Sequence, residues 1–230
     1  MVKHVISFSG GKDSTALLLK MMELGYPIDY IVFCDTSKEF PEMYEHINRV
    51  EKHIKKEITK VKFNFDYYFS EHIKTKGKNK GKAGYGWPSL FTRWCTRQKI
   101  DTIHRWMKTL NSDIIDYHGI AFDELHRTMK NKRASFREIR YPLIGWKMTE
   151  LDCLNYCYNR GFDWSGLYNK NRRLGCFCCP LKGMDELNYL YRNRPELWKQ
   201  MKEMDKKQCY LFRSRHTFTE IENRLMTHYS

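Results

Sequence analysis

The stretch Ser9-Gly10-Gly11-Lys12-Asp13-Ser14 constrains this chain more than any other. A short apolar run, Val5-Ile6-Ser7-Phe8, precedes it and reads as a strand. Ala16 to Leu19, Met21, Met22 and Leu24 follow at helical spacing, and Gly25 ends the run. A glycine pair between a strand and a helix lets the backbone approach an anion closely. The helix start adds N–H groups and a partial positive charge, Lys12 a mobile full charge, and Ser9 and Ser14 hydroxyls. These residues describe a phosphate or pyrophosphate site.

The rest of the first half repeats the strand and helix alternation. Asp29 to Phe33 reads as a buried strand, and Pro41 opens a helix reaching about Lys56. Val61 to Tyr67 alternates like a strand, Thr96 to Leu110 is helical, and Ile114 to Gly119 is another strand. This order predicts an α/β fold, a doubly wound and mostly parallel sheet with helices on both faces. Ligands of such sheets bind beyond the carboxyl ends of the strands, so segments 9–14, 34–39 and 119–127 should converge on one crevice. Thr149 is an N-cap candidate for a helix through Arg160, and residues from about Asp185 to Lys206 are helical. The expected division is a nucleotide-binding α/β domain over 1–140 and a smaller cysteine-bearing helical region over 141–230 packed on it. Lys74 to Gly86 (KTKGKNKGKAGYG) is too rich in Gly and Lys to pack and reads as a mobile basic loop.

The 230 residues carry a formal charge of +14, which argues for an anionic partner larger than one nucleotide. Nucleic acid is the natural candidate, although solubility alone would account for a basic chain. No apolar stretch approaches the roughly 18 residues needed to span a bilayer, and the N-terminus shows no signal pattern. No membrane contact and a cytoplasmic location are therefore expected. Eight cysteines in such a chain are not a disulfide framework. Cys176, Cys178 and Cys179 fall within four residues, between Gly175 and Pro180, which suggests metal ligation. Cys95, in Arg93-Trp94-Cys95-Thr96-Arg97, opens a helix beside arginines and should be biased toward thiolate. Cys34, Cys153, Cys157 and Cys209 read as ordinary thiols.

Five segments together resemble the phosphoadenosine phosphosulfate (PAPS) reductase family of the PP-loop adenine-nucleotide alpha-hydrolase superfamily. They are SGGKDS at 9–14, Cys34-Asp35-Thr36-Ser37-Lys38-Glu39, Trp94-Cys95-Thr96, Gly119-Ile120-Ala121-Phe122-Asp123-Glu124-Leu125-His126-Arg127 and Gly175-Cys176-Phe177-Cys178-Cys179-Pro180. The family commonly has Gly where Ser37 stands and Arg where Ala121 stands. The resemblance implies an adenine nucleotide, ATP or PAPS/adenylylsulfate, held by Ser9, Gly10, Gly11, Lys12, Asp13, Ser14, Cys34, Asp35, Thr36, Gly119, Asp123 and Glu124. It implies catalytic roles for Lys12, Asp13, Asp35 and Arg127, with Asp123 and Glu124 either binding Mg²⁺ or orienting Lys12. It suggests a 4Fe–4S cluster on Cys95, Cys176 and Cys179, with Cys178 as a further candidate and Zn²⁺ as the alternative.

Three functions fit. The first is ATP-dependent adenylation of a nucleic-acid acceptor for sulfur transfer, closest to the Fe–S sulfurtransferase-like members. The second is a PAPS or adenylylsulfate reductase, although the tail offers only Cys209 as nucleophile and lacks the family's Glu-Cys-Gly element. The third is a nucleotide- and nucleic-acid-binding module with structural zinc. The sulfur or electron donor is left open, and a homodimer is among the assemblies allowed.

Overall fold

A computed structural model describes residues 2–130 and 136–228. Five strands, β1 (Lys3–Phe8), β2 (Tyr30–Asp35), β3 (Ile58–Lys62), β4 (Ile114–His118) and β5 (Arg137–Arg140), form one sheet. Its order is β3-β2-β1-β4-β5, and every pairing is parallel. The helices are α1 (Lys12–Glu23), α2 (Pro41–Ile54), α3 (Trp94–Lys108), α4 (Pro142–Gly145), α5 (Glu150–Tyr158), α6 (Met184–Asn193), α7 (Pro195–Asp205) and α8 (Phe218–His228). None is long and apolar enough to cross a membrane. The doubly wound expectation holds. On one face Val5, Val32 and Ile114 pack with Met107 of α3. On the other, Ile6, Ile31 and Phe33 are equally buried. The strands are apolar on both faces because helices cover both.

The described chain divides into two compact units, 1–35 with 41–62 and 101–168, and 36–40 with 63–100 and 169–230. Helix α5, placed by the sequence in the C-terminal region, packs on α1 and belongs to the first unit. Its start carries a capping box, Thr149 accepting from the Asp152 N–H while Asp152 accepts from the Thr149 N–H. Asp116 is fully buried on the sheet, where it accepts from Ser7 and Arg137 and pairs with His118. The second unit is built on aromatic residues. Phe65 packs on Trp94 at 5.0 Å, Trp87 on Phe69 and on Phe212 at 4.9 Å each, and Trp198 on Phe218 at 4.8 Å between ring centroids.

Two local expectations are corrected. The strand expected over 61–67 ends at Lys62, because β2 ends at its partner Asp35 and leaves nothing further to pair with. Phe63 and Phe65, which made the pattern alternate, are buried in the second unit instead, and a π-helical turn follows at Tyr67–Glu71. The basic segment 74–86 is tied down. The Lys74 N–H donates to Lys82, Gly81 to Lys74, Gly84 to His72 and Gly86 to Phe69, all within 3.0 Å. Lys74 Nζ donates to the Tyr210 hydroxyl at 2.6 Å, while Lys76, Lys78, Lys80 and Lys82 stay exposed.

Candidate functional site

Residues 9–14 form a closed turn at the carboxyl end of the central strand. Gly10 has φ +77°, and a Cβ there would lie 2.6 Å from Met43 Sδ, so both backbone and space require glycine. The Trp164 indole N–H donates to the Gly10 carbonyl at 2.7 Å from below. His46 stacks on that indole at 4.3 Å and meets Thr15 Oγ1 at 3.0 Å. Ser9 and Ser14 clasp the turn, with their hydroxyls 3.0 Å apart and Ser14 donating to the Gly11 carbonyl at 3.0 Å. The Lys12 N–H donates to the Tyr168 hydroxyl at 2.8 Å. The loop after β4 closes over α1, since a Cβ on Gly119 would stand 2.8 Å from the Ser14 backbone. Segments 9–14 and 119–127 therefore do meet, at the point where the sheet order reverses.

Lys12 is not the mobile charge the sequence suggested. It is 6% exposed, and its Nζ donates to Glu150 Oε1 at 3.0 Å with Asp13 3.5 Å away. Carboxylate oxygens of Asp13, Glu124 and Glu150 all lie within 4.8 Å of one another. Burial pushes the Asp13 carboxyl up to about 6 against the pull of Lys12, and Glu150 and Glu124 push the same way. Asp13 Oδ1 is buried without a hydrogen-bond partner. This set of hard oxygen donors fits a divalent cation. Asp123, expected in that role, instead accepts the Glu150 N–H at 3.1 Å and so helps start α5. Glu150, not Asp123, joins Asp13 and Glu124 in the carboxylate group. The sequence could not pair it with Lys12 across 138 positions, although the N-cap at Thr149 sets it at a helix start.

The other expected nucleotide residues are placed as follows. Asp35 is buried and accepts from the Tyr44 hydroxyl at 2.8 Å, with Lys62 Nζ 3.6 Å away. Cys34 is buried in β2. Arg127 donates to Glu124 and keeps about half its side chain in solvent. Thr36 belongs to the second unit, where its hydroxyl donates to Glu39 Oε1 at 3.1 Å and lies 3.4 Å from Cys176 Sγ. Ser37 adopts φ +58°, so the turn is kept without glycine.

The cysteine-bearing site lies wholly within the second unit. Cys95 is in the first turn of α3, and Cys176, Cys178 and Cys179 occupy a tight turn closed by Cys179 N–H to the Cys176 carbonyl at 3.3 Å. The Phe177 N–H anchors this turn to the Lys38 carbonyl at 2.8 Å. Glu39, only a motif position to the sequence, accepts from Lys99 at 2.8 Å and lies 3.7 Å from Cys176 Sγ. The expected bias of Cys95 toward thiolate is reversed. Burial raises its pKa, Cys179 adds to the rise, and Lys99 only partly opposes it. Burial pushes Cys176 up to about 12, with Glu39 adding, and holds Cys178 well above an ordinary thiol. Burial lowers the pKa of Lys182, against the pull of Glu186 and of Cys179, Cys176 and Cys178, and burial lowers that of Arg213 against the pull of Cys179. A bound metal would have to displace these protons, and Lys99, Lys182 and Arg213 stand beside the thiols to offset the negative charge that results. The soft donor set fits an Fe–S cluster or zinc.

A parallel sheet of this order, with a Gly-Gly-Lys turn at the end of its central strand, defines a doubly wound α/β protein. Within that class the chain belongs to the phosphoadenosine phosphosulfate reductase domain family, which matches residues 3–182. It is 29% identical over 213 residues to uncharacterized protein MJ0066 of Methanocaldococcus jannaschii, covering 84% of this chain and 39% of the relative. The chain thus spans about two fifths of the length of the curated relative it matches. Solved structures similar to it include the PAPS reductase of Candida auris in complex with phosphate (13% identity, TM-score 0.46, 76% of this chain and 80% of that one). Another is the U34-tRNA thiolase NcsA of Methanococcus maripaludis with its 4Fe–4S cluster (13% identity, TM-score 0.49, 89% and 71%).

Proposed function

We propose that the chain binds ATP over Ser9–Ser14 and transfers its adenylyl group to an oxygen of a nucleic-acid acceptor, releasing pyrophosphate. That oxygen is then ready for replacement by sulfur, with AMP as leaving group. The observation that carries this reading is the buried Lys12, held by Glu150 at the first turn of α1 beside a compact carboxylate group. In the adenylation step the acceptor oxygen attacks the alpha-phosphorus and the acceptor's proton passes to solvent. The bond to the bridging oxygen breaks, and pyrophosphate leaves with the electron pair. Lys12 and the α1 N-terminus stabilise the charge that develops. Gly10, Gly11 and Gly119 let the backbone approach, and Ser9 and Ser14 fix the turn. Asp13, Glu124 and Glu150 would hold Mg²⁺, which when bound would supply positive charge to offset that of the pyrophosphate. Arg127 turns from Glu124 to a phosphate oxygen, and Cys34 and Asp35 position the adenosine.

Cys95, Cys176 and Cys179, with Cys178 beside them, would hold a 4Fe–4S cluster. Such a cluster supplies, when bound by three thiolates, one iron with an open position for a sulfur ligand. The +14 charge supports a polyanionic acceptor. A second reading, reduction of a sulfonucleotide, draws support from Cys209, which is exposed and in no disulfide. Turnover unchanged in Cys209→Ser removes it.

The test uses ATP labelled at the alpha-phosphate, with Mg²⁺ and RNA or DNA under anaerobic conditions. Label is expected to enter acid-insoluble nucleic acid. Lys12→Ala is expected to lower the rate about a hundredfold or more without changing the circular dichroism spectrum. Equal rates for the two proteins would remove the loop from the mechanism.

A further inference from the structure

We propose that a cavity in the second unit is the acceptor subsite and takes one unpaired base of a nucleic-acid strand. This rests on the nucleic-acid reading above and names the place where such an acceptor docks. The cavity, about 340 Å³, is walled by segments 87–91, 180–182 and 211–214. Two of these segments flank the cysteines, one leading toward Cys95 and the other following Cys179 directly.

The lining fits a base better than an apolar side chain. Trp87 and Phe212 are buried walls, 4% and 1% exposed. The Trp87 N–H is already used by Asp205 Oδ1 at 2.6 Å, and its ring packs on Phe69, Phe212 and Phe218, so the rim residues carry the contact with a base. Phe91 is 93% exposed and Leu90 68%, an aromatic and an aliphatic group standing at the rim. A flat base stacks on such an aromatic whatever its sequence. The polar groups favour an anionic strand. Lys182 and Arg213 line the cavity, and no lining residue is a carboxylate. Arg213 spends one terminal nitrogen on the Lys182 carbonyl and the other on Met184 Sδ at 3.5 Å. Its Nε is buried with no hydrogen-bond partner. The cavity admits one base but no duplex, so the acceptor must be unpaired or flipped out.

The test measures binding of the whole chain to short abasic strands carrying one central base, against the same strands with no base, by fluorescence anisotropy. Ribose and deoxyribose versions distinguish RNA from DNA. The base is expected to add about tenfold to wild-type affinity, the worth of one stacked base, and nothing to that of Phe91→Ala. The salt dependence is expected to match in the two proteins, because phosphate contacts are untouched. Phe91 lies outside the core, so the variant should fold. Strands that bind wild type with no gain from the base, or with an equal gain in Phe91→Ala, overturn the subsite and leave the nucleic-acid acceptor standing. Failure of every strand to bind overturns both. A cavity that instead takes an apolar peptide, or a second copy of the chain, is a protein-docking site and also overturns the proposal.

Discussion

Ser37 shows how a single residue can keep a geometry that the family builds with glycine. Its φ of +58° places an L side chain in the left-handed region, which costs about 1 kcal/mol. Ser37→Gly is expected to raise stability by up to about 1 kcal/mol, less the extra entropy of the unfolded chain, in a thermal melt. A melting temperature that falls would mean the serine hydroxyl does more than occupy the turn. Ala121, the other departure from the family pattern, is fully buried, so the larger arginine would need the loop rebuilt. The phosphate turn itself was legible in the sequence, because its chemistry is contiguous. Glu150, Tyr168 and Trp164 were not legible. Each reaches the turn from the far end of the same unit, and no local pattern marks a residue that acts across more than a hundred positions.

Elements were legible where periodicity and burial agree. β1, β2 and β4, and helices α1, α2, α3 and α5, stand within a few residues of their sequence positions. The failure at 61–67 came from phenylalanines that alternate like a strand but serve an aromatic core. The single helical region over 185–206 became α6 and α7, because Pro195 disfavours helical backbone at Arg194. Helix α2 carries a further consequence through His46, which lies under the phosphate turn. Burial pushes its pKa down to about 3, Arg49 adds to this, and Asp163 opposes it. An unfolded histidine titrates near 6.5. Between those values the native chain binds fewer protons than the unfolded one, so this stability is full above about pH 6.5 and is lost as pH falls through the window. The slope from this one group is about 1.4 kcal/mol per pH unit. Urea melts of wild type and His46→Gln at neutral pH and near pH 5 should differ by one proton's slope. Parallel slopes would place a protonated histidine in the native state.

At the scale of the whole molecule, the Gly-Gly-Lys turn and the cysteine-bearing turn fall in separate compact units of interleaved sequence. That interleaving was not legible in the sequence, since the crossing at 35/36 lies inside one continuous motif. Anaerobically purified protein should contain iron and sulfide. Cys95→Ser, Cys176→Ser and Cys179→Ser should each lose most of it, while Cys153→Ser and Cys209→Ser retain it. Zinc in place of iron would turn the cysteine site into a structural one. The phosphate site is tested most directly by the products made from ATP in the presence of Mg²⁺ and nucleic acid, resolved by ion-exchange chromatography. An alpha-phosphorus seated over Gly10 and Gly11 yields pyrophosphate and an adenylyl group or AMP. ADP and orthophosphate would contradict that seating.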